Sequence, residues 1–152
     1  MKASKIYFAS DHGGFGLKGK LLEFTKSLGY SVEDLGPEKL DPSDDYPIFA
    51  KKIAERVAKE PESLGVILCR NGVGISVACN KVDGARCALS WNSKHASSTR
   101  KDDNANVISI PADYVEKTQA EEMLKAFFET EYVHNERFDR RLNEIKDIES
   151  SN

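Results

Sequence analysis

The sequence has little of what usually announces a specialised class of protein. Its three cysteines are an odd number with no CxxC spacing, which points away from a disulfide framework or a zinc site. Reduced thiols in the cytosol are the expectation. No apolar run approaches the roughly 18 residues of a membrane span, and the first residues lack a signal-peptide pattern. Basic residues show no excess either. Against 25 Asp+Glu there are 22 Lys+Arg, a formal net charge of −3, so neither a nucleic-acid nor a membrane partner is expected. Repeats, low-complexity tracts and a convincing linker are also missing. The 152 residues are therefore expected to form one domain, 1–152.

What the chain does have is alternation. KIYFAS (5–10) predicts a short buried strand, and LKGKLLEFTKSLG (17–29) a helix closed by Gly29. YSVEDLG (30–36) predicts a second strand, followed by a polar, proline-containing loop through Asp41, Pro42 and Tyr46. PIFAKKIAERVAKE (47–60) predicts a helix with proline in its first turn, spacing Ile48, Ile53 and Val57 along one face. LGVILC (64–69) is continuously apolar, as in a central parallel strand covered on both faces. GISVACNK opens a helix, ARCALS (85–90) is a strand, and 92–103 a helix capped by Asn92 or Ser93. NVISI (106–110) is a fifth strand, and 115–132 and 136–149 are closing helices. Such alternation predicts a Rossmann-like three-layer α/β/α sandwich around a five-stranded parallel sheet.

In these sheets ligands bind beyond the carboxyl ends of the strands, where strand order reverses. Two strand ends carry chemistry: Asp11-His12-Gly13-Gly14 after the first, and Cys69-Arg70-Asn71-Gly72-Val73-Gly74 after the third. If those strands are neighbours, Asp11, His12 and Cys69 meet in one crevice. Gly72 and Gly74 leave successive backbone N–H groups free to face an anion, a setting that favours a thiolate at Cys69. A cysteine ending a buried strand is a core residue about half the time, and Asp-His after a strand is often only a cap or turn. Cys79 and Cys87 fit packing roles. GVGISV has Val77 at the third glycine position of a dinucleotide fingerprint and no phosphate-loop Lys-Ser/Thr, which disfavours a nucleotide cofactor.

SDHGG, DYP (45–47), GVILCRNGVGISVACNK-VDGAR, NANV (104–107) and RFDRR (137–141) together resemble the type-B ribose-5-phosphate isomerases and galactose-6-phosphate isomerase subunits. The resemblance covers essentially the whole chain. It implies a homodimer, sometimes paired into tetramers, that interconverts aldose and ketose sugar phosphates with no metal or other cofactor. It makes Cys69 the base that removes the proton alpha to the carbonyl, with the backbone of Arg70, Asn71, Gly72, Val73 and Gly74 holding the enediolate. Asp11, His12 and Tyr46 become sugar contacts. Arg137 and Arg141 become phosphate ligands reaching into the partner subunit's site, carried by a C-terminal helix about 136–149. Without the resemblance, those arginines would be expected on a solvated face, paired with Asp139 or Glu144.

Some positions depart from that pattern. Asp102-Asp103 stand where the isomerases carry a His-Asn pair that serves ring opening, Asp113 where an arginine is common, and Phe138 where a histidine is frequent. Asp102 is the expected substitute acid or base, Asp103 a substrate contact, and Arg70 and Arg100 the cations available to balance the new aspartates. The expected reaction joins ribose 5-phosphate and ribulose 5-phosphate through a cis-enediol. The alternatives are a tetrose or hexose phosphate substrate, or a non-catalytic sugar-phosphate-binding or regulatory subunit.

Overall fold

The computed structural model describes residues 2–152. Strands and helices follow in the order β1 (Lys5–Ser10), α1 (Phe15–Ser27), β2 (Val32–Asp34), α2 (Tyr46–Lys59), β3 (Ser63–Cys69) and α3 (Val73–Cys79). They continue with β4 (Cys87–Leu89), α4 (Ser93–Asp103), β5 (Val107–Pro111), α5 (Lys117–Glu129) and α6 (Glu136–Ser151). The strands pair in parallel as one sheet in the order β2-β1-β3-β5-β4.

Side-chain alternation along each strand divides the core in two. Ile6, Phe8, Leu64, Val66, Leu68, Ile108 and Ile110 face one side, where Leu21 of α1, Ala96 of α4 and Phe127 of α5 cover them. Tyr7, Ala9, Ile67, Cys69 and Val107 face the other, against Ile53 and Val57 of α2 and Ile75 of α3. Helices on both faces of a five-stranded parallel sheet make the three-layer architecture that the alternating sequence predicts.

The differences from expectation lie at the margins. β2 and β4 hold three residues each, shorter than the segments 30–36 and 85–90, because both are edge strands with a neighbour on one side only. Ile48 is 60% exposed, whereas Phe49, Ile53 and Val57 are buried. Five residues separate Ile48 from Ile53, and at 100° per residue that turns Ile48 well away from the packed stripe. Asn92 is the α4 cap, accepting a bond from the His95 N–H at 2.8 Å.

Strand order reverses between β1 and β3, whose register pairs Ser10 with Leu68. The segments that follow these two strands therefore leave the sheet side by side. α6 is the exception to the layered packing. None of its residues is buried, and Ile145 and Ile148 remain exposed on it.

Candidate active site in the switch-point crevice

Cys69 is the last residue of β3 and is only 4% exposed. Its side chain lies in the core cluster that includes Ile75 and Cys79, so it is at once a packed residue and the edge of the crevice. Its thiol lies 3.9 Å from Asn71 Oδ1, and that same oxygen accepts the Val73 N–H at 3.0 Å. One oxygen position thus touches both the sulfur and a backbone donor of the glycine loop. That arrangement suits a substrate oxygen adjoining a carbon that loses its proton to sulfur.

The loop depends on two glycines. Gly72 has φ +73°, and a Cβ there would come within 2.6 Å of Leu89 Cδ1 and 3.1 Å of Pro111 N. At Gly74 the obstacle is Tyr46, with a built Cβ 2.5 Å from the ring and 2.8 Å from the hydroxyl. Gly74 is what lets Tyr46, from the first turn of α2, lie across the start of α3. Gly72→Ala is expected to destabilise the fold by about 2–4 kcal/mol, combining left-handed strain with overpacking. The check is a chemical denaturation curve. Unchanged stability would show that the loop relaxes freely.

The segment after β1 sits against this loop. Asp11 is buried, and its Oδ1 accepts the N–H groups of Gly13 (2.9 Å) and Gly14 (3.2 Å). The turn-forming role of Asp11 is therefore real, and its other oxygen is the one left for a ligand. His12 is held by Asp44, a residue the sequence pattern did not single out. Asp44 Oδ1 accepts the His12 backbone N–H at 2.9 Å and lies 2.8 Å from Nδ1. The Asp44 hydrogen bond raises the His12 pKa, with Asp11 adding to the effect and burial and Arg70 opposing it. The only available signal for Asp44 was its place in the acidic run Asp44-Asp45 ahead of Tyr46.

Asp11, His12 and Asp44 bring ligand atoms within 4.8 Å of one another. Asp11 Oδ1 is already spent on backbone N–H groups and Asp44 Oδ1 on His12. Only His12 and Asp44 bond one another, while Asp11 bonds the Gly13 and Gly14 backbone, an arrangement suited to hydrogen bonding a ligand.

Arg70 reaches Asp113, Nη1 to Oδ2 at 3.5 Å, with both side chains exposed. The two substituted charges in this corner thus offset one another. Arg100 does something else: it donates to the carbonyls of Ala105 (2.6 Å) and Thr130 (3.3 Å) and is half-buried. Its role is to tie the end of α4 to neighbouring loops, so it is not the counter-charge for Asp113.

Asp102, Asp103, Arg137 and Arg141 form a second group away from this crevice. α4 runs antiparallel to the strands, so Asp102 and Asp103 lie just before β5 begins, whereas Cys69 pairs with Pro111 at its end. The four-residue rise from Val107 to Pro111 separates those levels by about 13 Å. Burial and the neighbouring Asp102 raise the Asp103 pKa, and Arg141 and His95 pull it down. Asp139 bonds Tyr132 and His134, and Glu144 lies near Arg140. Arg137 and Arg141 therefore lack the ion-pair partners expected of them, and no ion pair involves either among the described residues. Cys79 is fully buried in the core, and burial, then contact with Cys79, pushes the Cys87 thiol well up. Both have the settings of packing residues.

Comparison with known proteins agrees with this architecture. The family described as Ribose/Galactose Isomerase matches residues 6–145. Ribose-5-phosphate isomerase B of Mycobacterium tuberculosis is 35% identical over 149 residues, 98% of this chain and 92% of that protein. The crystal structure of ribose-5-phosphate isomerase B from Mycoplasma genitalium with bound ribulose-5-phosphate superposes with a TM-score of 0.93 at 36% identity, covering 97% of both chains. Type B ribose 5-phosphate isomerase from Trypanosoma cruzi gives 0.93 at 31% identity, over 97% of this chain and 99% of that one.

Proposed function

The chain belongs to the ribose/galactose isomerase family and is a sugar-phosphate isomerase, and from that premise we propose that it interconverts ribose 5-phosphate and ribulose 5-phosphate. The observation that carries the chemistry is the oxygen position shared by the Cys69 thiol and the Val73 N–H. Cys69, as thiolate, takes the proton from C2 of the open-chain aldose, and the electron pair moves onto the carbonyl oxygen to give a cis-enediolate. The backbone N–H groups of residues 70–74 stabilise that charge, the O2 hydroxyl proton passes to O1 so that the charge moves to O2, and the sulfur returns its proton to C1 as the O2 carbonyl forms. In this reaction Asn71 swings its amide oxygen away as the substrate oxygen takes its place. Asp11, His12 and Tyr46 hold the sugar hydroxyls and phosphate end.

The proposal also requires a partner subunit. Arg137, Arg141, Asp102 and Asp103 lie at the far end of their own chain, and a two-fold dimer lets them complete the neighbour's crevice. α6 supports this reading: its exposed Ile145 and Ile148 suit burial against a second copy. Within such a shared site Asp102 opens the sugar ring, and the arginines bind phosphate.

A second reading keeps the reaction on a tetrose or hexose phosphate. It is favoured by the Arg70–Asp113 pair, which leaves no net charge where the resemblance expects a phosphate-binding arginine. An isomerisation screen over four- to six-carbon sugar phosphates in deuterium oxide tests both. The expected result is fastest turnover on ribose 5-phosphate, with deuterium incorporated next to the carbonyl. Faster turnover of another substrate selects the second reading. Binding without deuterium incorporation would make the protein a non-catalytic binder.

A further inference from the structure

Asp44 adds a residue to this crevice that neither the motif pattern nor the substitutions anticipate. It lies in the loop between β2 and α2, which is built to present it. Asp41 Oδ1 accepts the Ser43 N–H at 3.0 Å and its hydroxyl at 2.7 Å, and the Asp44 N–H bonds the Asp41 carbonyl at 3.1 Å. The Asp44 side chain is only 9% exposed, although the loop around it is open to solvent. Its Oδ1 is committed twice to His12, and its Oδ2 is buried with no hydrogen-bond partner. A carboxylate so enclosed depends on His12 for compensation, because a buried charge without a partner is costly.

The geometry settles the orientation of the imidazole. A carboxylate only accepts, so Nδ1 carries the hydrogen toward Asp44, and Nε2 is the nitrogen left for another ligand. The backbone N–H of His12 bonds the same oxygen, which fixes the residue at two points.

We propose that Asp44 is a positioning residue for the isomerase reaction. It locks His12 so that a protonated Nε2 donates to an anionic oxygen of the sugar phosphate. This rests on the isomerase reading for its ligand, but the Asp44–His12 linkage stands on the geometry alone. The charged groups facing His12 are Asp11 from the end of β1, Asp41 and Asp44 from the β2–α2 loop, and Arg70 from the β3–α3 loop. Three carboxylates and one guanidinium surround it, so the imidazolium is favoured. The sign follows. A raised His12 pKa keeps the donor charged to higher pH than an unpaired imidazole would be, and the charge is lost as pH rises through that value. Without Asp44 the loss comes at lower pH.

The test combines substrate kinetics with proton NMR of the imidazole C2–H. In the free protein, Asp44→Asn is expected to move the His12 titration to lower pH. With ribose 5-phosphate, the rise of KM with pH should move by the same amount, leaving about a tenfold higher KM at pH 8 and little change at pH 6. His12→Gln should flatten the pH dependence of KM. Adding Asp44→Asn to His12→Gln should then cost nothing further, because Asp44 acts through His12. Asp44→Glu should restore part of the pH profile.

An unmoved His12 titration in Asp44→Asn would overturn the proposal, as would equal KM losses from Asp44→Asn with and without His12. Should Asp44→Asn fail to fold, the Asp44→Glu titration and the His12→Gln profile carry the same decision. If no sugar phosphate is turned over, the isomerase reading fails by that result, while the NMR titration still judges the linkage separately.

Discussion

Cys69→Ala is expected to lower kcat by about a thousandfold or more while the protein stays folded, because under the proposed mechanism it removes the base and with it that group's whole catalytic contribution. The argument is local. Cys69 closes β3, its sulfur lies 3.9 Å from Asn71 Oδ1, and that oxygen marks where a substrate oxygen would contact it. The structural cost should be small, since alanine loses one atom at a strand end and keeps its backbone bonds, including the Ala112 N–H to the Cys69 carbonyl at 3.0 Å. Cys79→Ala and Cys87→Ala should show the opposite pattern. Both leave voids beside the α3 side of the sheet, so thermal stability should fall and turnover at permissive temperature should hold. Progress curves and thermal melts on the three variants decide the matter. Near-normal turnover in Cys69→Ala would remove the cysteine from the mechanism. A second approach is alkylation of Cys69, which ribose 5-phosphate should slow.

The other large effect concerns completeness of the site. Arg137→Ala/Arg141→Ala should be as inactive as Cys69→Ala, although the arginines and the cysteine lie at different ends of one chain. If each crevice is completed by its neighbour, mixing the two inactive proteins creates hybrids that hold one intact site. At equal mixing with free exchange, about half the dimers are hybrids with one good site of two, so about a quarter of wild-type activity should return. Native mass spectrometry would verify the exchange. Verified hybrids with no activity would refute shared sites, and a monomer at micromolar concentration would remove the basis for them. In the isolated chain Arg137 and Arg141 sit on a helix with no buried residue, so alanine there should leave the monomer fold intact.

These expectations draw on the sequence and the tertiary structure to different extents. The β-α alternation, the burial of β3 and the pairing of glycines with Cys69 were legible because each is a local pattern. A continuous apolar run of six residues, 64–69, fits a strand covered on both sides, and Gly72 is needed where its own backbone turns left-handed. The Asn92 cap was legible for the same reason: its bond to His95 spans three residues.

What stayed hidden depends on residues distant in the chain. Asp44 meets His12 across 32 positions, and no local spacing encodes that contact. Ile48 looked like a core residue because apolar character was visible and the helix phase was set by Phe49 and Ala50 instead. Arg100 counted as a free cation until the fold gave its N–H groups to carbonyls of two other segments. The aspartates at 102 and 103 were identified as departures from their residue types alone. Only the direction of α4 showed that they lie at the opposite end of the sheet from Cys69 in their own chain. Residue type and spacing thus determined the kind of fold and which groups could do chemistry. Sheet order and helix direction decided which of those groups meet, because proximity across a fold is fixed by chain crossings that no local stretch of sequence records.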